Sequence, residues 1–381
     1  MNVRDNIHWT YRSGRGIVEV METTLRPTTD AVAARSASPL AGSQAARPAR
    51  PGAVAQRGAS AARDHGLSFE GVLAAADVLA TTLPATPAWS YPLLNSAAGR
   101  KVIVKHENVQ PTGAFKVRGG LNLLATLPAS VLERGLVTVS TGNHAQSLAY
   151  ASRLRDVSAT IVMSTATPSF KADAVRALGA RVVLAGADMA EAAVEAAALA
   201  DREGLYFVNP GEEPAIIHGH ATVYLELLTA HPEIDTLYVP IGSGSGAAGA
   251  VLVRDAIAPH VRVVGVQAEG ARAAYDSWAS GEIQTRPIHT FAAGLATGSG
   301  FRAPQSVLRG GLDDFLLLTE EQMQEAVRLM AGAAHTLCEG AGAAGLAGAI
   351  AEGDSGQVST AAFACTGGNA SVEEFALLNR A

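Results

Sequence analysis

The sequence predicts an α/β protein with two lobes built on parallel-rich sheets, and three observations predict it. The chain has 381 residues, 48% of them hydrophobic, enough for a large buried core divided between lobes. Short β-branched runs alternate with segments of helical apolar spacing, the pattern of strand–crossover–strand units. Several of these runs end in clusters of Gly, Ser, Thr and Asn, at the edge where parallel sheets bind ligands.

Each element has its own signal. The ordered body is expected from about Ser68, and Phe69–Leu79 carries the apolar spacing of a helix. Val102–Val104 and Val137–Val139 are short β-branched strands, the second followed by a helix over Ala145–Arg155. Ala159–Met163 is a strand, Ser169–Leu178 a helix stopped by Gly179, and Arg181–Leu184 a strand. The series continues with a helix over Met189–Ala200, a strand over Tyr206–Val208 and a helix over His220–Thr229. Thr236–Ile241 and Val261–Val266 read as buried strands. Thr319 followed by Gln322 is a capping-box pattern that opens a helix over Thr319–Met330. Ser359–Ala364 is the last expected strand, and right-handed crossovers are expected between parallel neighbours. There is no internal repeat.

The first 65 residues differ from the rest. Ala31–Ala62 is rich in Ala, Ser, Arg, Gly and Pro without a sustained apolar period, so residues 1–65 are expected to be disordered or loosely attached and non-catalytic. An organelle transit peptide is one reading, although Glu19, Glu22 and Asp30 interrupt it; an overlong start, with Met21 as the true one, is another.

Composition excludes several classes. A formal charge of −6 favours neither nucleic acid nor an anionic membrane as partner. No apolar run is long enough to span a bilayer. Cys338 and Cys365 match no zinc spacing and no disulfide framework, so no metal is expected and a reducing cytoplasm is the default location. Lysine occurs only at Lys101, Lys105, Lys116 and Lys171, which leaves few amines for covalent chemistry.

Four strand-end segments carry candidate chemistry. In Gln110-Pro-Thr-Gly-Ala-Phe-Lys-Val-Arg-Gly-Gly120 a turn leads to Lys116 and a helix-like run, Leu121–Leu127. A lysine at a helix start sits in positive potential that lowers its pKa and favours the neutral amine needed for an imine. An ordinary surface lysine beside a turn is the plainer reading. Ser140-Thr-Gly-Asn-His-Ala-Gln146 joins a strand to a helix and suits an anion such as a carboxylate, or simply caps the helix. Asn143 offers an amide donor for a phenolate oxygen. Gly242-Ser-Gly-Ser-Gly-Ala-Ala-Gly249 suits a phosphate, with Ser243 and Ser245 as added donors. Gly244, Gly246 and Gly249 also fit a dinucleotide spacing, but the next strand ends in Val266-Gln267 without an acid for a ribose, and no Gly-Lys-Ser/Thr end makes a Walker loop. Cys365-Thr-Gly-Gly-Asn369 places a hydroxyl, Thr366, at the end of the last strand, or is a plain strand-end turn.

Taken together in this order, the four segments resemble the threonine/serine dehydratase and serine racemase family, within the fold type II (tryptophan-synthase-β-like) pyridoxal-phosphate (PLP) enzymes. The resemblance runs from about Leu83 to the C-terminus and includes Lys105-His-Glu-Asn108, Pro168-Ser-Phe-Lys171, Thr290–Ala296 and Glu339-Gly-Ala-Gly-Ala343. It implies two lobes with PLP in the cleft between them: residues 66–134 and 213–381 as the large PLP-binding domain, and 135–212 as the small one. It implies a homodimer, a small amino-acid substrate, and β-elimination from a 3-hydroxy amino acid such as L-threonine or L-serine. Racemisation or β-replacement on the same scaffold is the alternative.

By position, the resemblance makes Lys116 the Schiff-base lysine and Phe115 the aromatic packed on the cofactor. It makes Asn143 the partner of the cofactor's 3′-oxygen and Thr366 the hydroxyl facing its pyridine nitrogen. Gly242, Ser243, Gly244, Ser245 and Gly246 become the phosphate loop, although the family usually has a near-continuous glycine run there. Ser140, Thr141, Gly142, Asn143 and His144 become the loop that grips the substrate carboxylate. Thr141 stands where many dehydratases have alanine and racemases a serine, so its hydroxyl is a candidate second acid or base. Cation-activated members carry two acids after the strand matching Val261–Val266; Glu269 fits the first and Ala273 could offer a carbonyl, but Tyr275 stands at the second. Ala293 lacks the acid common before Gly294. The chain ends 12 residues after Asn369, so isoleucine feedback through a C-terminal regulatory domain is not expected.

Overall fold

The computed structural model describes residues 62–353 and 359–376. Most of the expected tail, residues 1–65, lies outside them. Ala62 is already buried in the core with Leu67 and Val72, so the packed body begins before Ser68.

Ten strands form two sheets among the described residues: β1 Ala88–Ser90, β2 Lys101–Lys105, β3 Leu136–Val139, β4 Ala159–Met163, β5 Arg181–Leu184, β6 Tyr206–Phe207, β7 Thr236–Pro240, β8 Arg262–Ala268, β9 Asp314–Leu318 and β10 Thr360–Ala364. The larger sheet has the order β1-β2-β10-β7-β8-β9 and the smaller β5-β4-β3-β6. Only β1 pairs antiparallel; every other pairing is parallel. The α/β class with parallel-rich sheets is therefore the fold. Six helices shape the site: α1 Phe69–Ala80, α2 Lys116–Thr126, α3 Asn143–Leu154, α4 Pro214–Ala230, α5 Ser245–Ile257 and α6 Gly340–Glu352.

Parallel strands are covered on both faces, and their side chains divide with period two. Leu237, Val239, Val263, Ala362 and Ala364 face the cluster that holds residues of α1, α4 and α5. Tyr238, Val264, Val266, Ala361 and Phe363 face the opposite cluster with residues of α6. The smaller sheet has its own core, where Leu136 and Ile161 meet Leu148 and Val175.

The Gly and Ala content lets helices lie directly on strands. A Cβ on Gly345 would sit 2.5 Å from Phe363 Cβ, and one on Gly348 would sit 2.6 Å from Val266 Cγ1. The N-terminus of α6 lies at the tip of β10, where Glu339 N donates to the Gly367 carbonyl at 3.1 Å. A similar approach joins α2 to α4, where a Cβ on Gly219 would meet the Arg118 carbonyl at 2.5 Å. Such a contact forces backbone apart, and overpacking of this kind costs about 1–3 kcal/mol.

Strand expectations hold to within a residue or two, and the Thr319–Gln322 capping box forms as read. β1, β9 and α6 were not read from the sequence. α6 is GAGAAGLAGAIAE with every residue from Gly340 to Ala349 buried, so it has no polar face to generate a period. α4 starts at Pro214 rather than His220 for a related reason: its first turns bury Ile216, Ile217 and His218 on several faces.

Candidate active site

Three neighbouring parallel strands, β2, β10 and β7, deliver their C-terminal ends to one edge of the larger sheet. The segment after β2 turns at Gly113, whose φ of +68° is left-handed, and enters α2 at Lys116 itself. An isolated bridge pairs Ala114 with Gly367, and Phe115 N donates to the Thr366 carbonyl at 3.0 Å. The expected lysine loop and the β10 turn are thus one unit.

Beyond β7, Gly244 caps α5 with a φ of +92°, a conformation that favours glycine. The first turn of this 13-residue helix then presents free N–H groups beside Ser243 and Ser245. Lys116 Nζ donates to Ser245 Oγ at 3.3 Å and lies 4.8 Å from the Phe115 ring centroid. A Cβ on Gly246 would touch Phe115 at 3.4 Å. Gly249, the last glycine of the dinucleotide-like spacing, is spent on packing: its Cβ would meet Ala221 backbone at 2.7 Å.

Burial pushes the Lys116 ammonium down to a pKa of about 8, against a smaller opposing pull from Glu339. Lys116 as a residue is half-buried, while its amine is desolvated by its surroundings.

The Ser140–His144 loop follows β3 in the smaller sheet. Asn143 reaches across to the larger sheet's edge, donating from Nδ2 to Glu339 Oε1 at 2.7 Å and accepting at Oδ1 from Asn369 Nδ2 at 2.8 Å. Those two bonds fix which way the amide faces and leave one Nδ2 hydrogen for a ligand. Ser140 Oγ accepts from Gly142 N at 3.3 Å. Thr141 is half-buried, and its hydroxyl has no partner among the described residues. Nothing lies within 4 Å of a Cβ built on Gly142, so the middle of the loop faces open space. The His144 imidazole turns inward instead, 3.2 Å from Thr138 Oγ1, and burial drives its pKa down to about 3. It is neutral, and the loop offers backbone rather than imidazole at that position. Thr366 is buried, its hydroxyl donating to the Ala341 carbonyl at 3.2 Å.

Two neighbours of the site were not read from the sequence. Glu339 was noted only as part of a motif; burial raises its carboxyl to about 7, with repulsion from Glu374 next and the Asn143 bond opposing. His220 was seen only as a helix residue, yet its Nδ1 lies 3.0 Å from Ser245 Oγ and its ring 4.6 Å from that of Phe115. Chain distance hides both, since Glu339 and Asn143 are 196 residues apart. Tyr275 packs edge-on against Phe315 with ring centroids 5.4 Å apart, and no cluster of three or more His, Cys, Asp or Glu able to hold a metal occurs among the described residues.

A buried amine, a glycine–serine helix start beside it, an oriented amide and a strand-end hydroxyl fit the aldehyde, phosphate, phenolate and ring nitrogen of PLP. Residues 80–367 match the family model described as pyridoxal-phosphate dependent enzyme. The chain belongs to this family. It is 36% identical over 250 residues to an L-threonine ammonia-lyase of Geobacter sulfurreducens, covering 65% of this chain and 62% of that protein. It is 32% identical over 292 residues to the serine racemase of Mus musculus, covering 75% of this chain and 86% of that one. A solved structure of processed threonine deaminase isoform 2 from Solanum lycopersicum superposes with a TM-score of 0.78 at 28% identity, over 84% of this chain and 93% of that chain. The match spans less than two thirds of several curated relatives, 62%, 52% and 64% of their lengths. These neighbours place the fold as type II, and PLP is the cofactor. No described helix is long and apolar enough to cross a membrane.

Proposed function

We propose that this chain eliminates the β-hydroxyl and then the amino group of a small 3-hydroxy amino acid, such as L-threonine or L-serine, giving a 2-oxo acid and ammonia. PLP supplies the aldehyde carbon that holds the substrate nitrogen and the ring that withdraws electrons from Cα. The observation that carries the reading is Lys116, a desolvated amine with a pKa of about 8 set against the α5 glycine–serine loop. Its Nζ is the group that holds the cofactor and afterwards takes the Cα proton, with positioning removing much of the barrier. The backbone N–H groups around Gly242, Ser243, Gly244, Ser245 and Gly246 would hold the phosphate. Asn143 would donate its spare Nδ2 hydrogen to the phenolate oxygen. Thr366 would offer the ring nitrogen a neutral hydroxyl rather than a carboxylate, once its hydrogen turns from the Ala341 carbonyl. The Ser140–His144 loop receives the substrate carboxylate at the N-terminus of α3. Segment 135–212 serves as the smaller lobe, and its closure over the cleft excludes water. Relatives named L-threonine ammonia-lyase support elimination.

Racemisation is a second reading, supported by the unpartnered Thr141 hydroxyl and by the relative named serine racemase. A panel of 3-hydroxy amino acids assayed for 2-oxo acid tests the proposal. Oxo acid from threonine or serine is expected, and Lys116→Ala should abolish both turnover and the borohydride-bleachable colour while the fold survives. Enantiomer exchange without oxo acid, lost in Thr141→Ala, would replace elimination by racemisation.

A further inference from the structure

Ser245 sits at a junction of three polar groups. Its hydroxyl is 3.3 Å from Lys116 Nζ, 3.4 Å from Ser243 Oγ and 3.0 Å from His220 Nδ1. A serine oxygen has two lone pairs and one hydrogen. Lys116 and Ser243 both approach as donors and take the lone pairs. The single Ser245 hydrogen is left for His220 Nδ1, which must therefore be bare, with the imidazole hydrogen on Nε2.

The surroundings of His220 hold it in that role. The side chain is 1% exposed, and burial drives its pKa well below the ordinary histidine value, so it is neutral. The charges of Lys116, His144 and Arg118 also oppose a charge there, while the Lys116 backbone favours one more weakly than burial disfavours it. Its ring is clamped between Phe115, at 4.6 Å, and the backbone of α2, where a Cβ on Gly119 would meet Nε2 at 2.5 Å. Nε2 completes no hydrogen bond among the described residues, although the Lys116 backbone lies near enough to the ring to favour its protonation, and the side-chain contact of Nδ1 is with Ser245.

We propose that His220 is a positioning residue that sets the direction of the hydrogen bond between Ser245 and Lys116. By accepting the Ser245 hydrogen, it leaves only lone pairs facing the lysine. Lys116 can then bond to Ser245 solely as a donor, and the nitrogen lone pair stays free to attack the cofactor aldehyde. Without an acceptor at Nδ1, the Ser245 hydrogen turns to the neutral amine and occupies that lone pair. The inference rests on Lys116 being the cofactor's attachment point.

The test follows the capture of PLP by the resolved enzyme, read as growth of the near-violet band in stopped flow. His220→Leu should slow capture about tenfold, the worth of one hydrogen bond redirected onto the nucleophile. His220→Asn, whose amide oxygen can stand where Nδ1 stood, should restore the wild-type rate. In a Ser245→Ala background His220→Leu should have no further effect. Independently of any variant, 15N shifts of histidine-labelled resolved enzyme should show His220 protonated at Nε2 and bare at Nδ1. Equal rates in all three proteins, an undiminished effect of His220→Leu in Ser245→Ala, or the opposite tautomer overturns the inference. Borohydride reduction and peptide mapping keep the two readings apart. Label on Lys116 with no dependence on His220 sinks only this inference, whereas label on another lysine sinks the attachment point as well.

Discussion

The edge of the larger sheet and the loop after β3 meet at Asn143, yet they are held in different ways. On the larger sheet's side, α2 is anchored two residues beyond Lys116 by Arg118. Its guanidinium donates to both oxygens of Glu107 at 2.8 Å and to Glu226 Oε1 at 2.6 Å, and Lys105 closes the network on Glu226. Arg118 is 1% exposed and Glu107 fully buried. Close helix contacts at Gly119 and Gly219 add to this. On the β3 side, Gly142 faces open space, the Thr141 hydroxyl has no partner among the described residues, and Asn143 spans to Glu339 and Asn369 by two side-chain bonds. The lysine side is braced by buried ion pairs, while the Ser140–His144 loop is tied at its two ends, by Ser140 N on the Val162 carbonyl and His144 on Thr138, and across to the larger sheet by Asn143. That division suits the proposed roles, with the more heavily braced side carrying Lys116.

The sharpest way to break the contrast is to cut the anchor. Arg118→Met leaves Glu107 buried without its partner and should cost about 3–5 kcal/mol of unfolding free energy, measured by denaturant titration. A loss below about 1 kcal/mol would mean that the network does not hold the lysine side. Next, Gly219→Ala should cost about 1–3 kcal/mol because its Cβ meets backbone, whereas Gly142→Ala should change stability by less than about 1 kcal/mol. Equal costs at the two glycines would erase the difference between the regions.

The smallest effect sharpens rather than breaks the comparison. On the proposed role of Lys116, capture of PLP needs its neutral amine, and burial lowers its pKa to about 8. The sign follows directly: below that pH the amine is protonated, so the capture rate should rise about tenfold per pH step up to a plateau above about 8. Glu339, with a carboxyl near 7, and neutral His144 and His220 are the other titratable groups facing the amine. A midpoint near the ordinary lysine value would show that Lys116 is not desolvated by its surroundings.

Much of the fold was legible because its signals are local. β4 and β5 were bounded to the residue, since ATIVM and RVVL are β-branched runs between turn residues. The capping box at Thr319 was legible because both partners lie within one turn. α6 was not, because a helix buried on every side carries no alternation of polar and apolar faces. The strand-end positions of Lys116, Asn143 and Thr366 were legible, but the inward turn of His144 was not. It depends on Thr138, which β3 places beneath the loop.

By itself the sequence determined which residue types stand at the strand ends, because turns, caps and β-runs are governed by neighbours a few positions away. Only the tertiary structure decided that Glu339 and Asn369 orient Asn143, that Arg118 braces the lysine helix, and that His220 faces Ser245. Those groups become neighbours when parallel strands from distant parts of the chain align, and hydrogen-bond direction and desolvation exist only after they do.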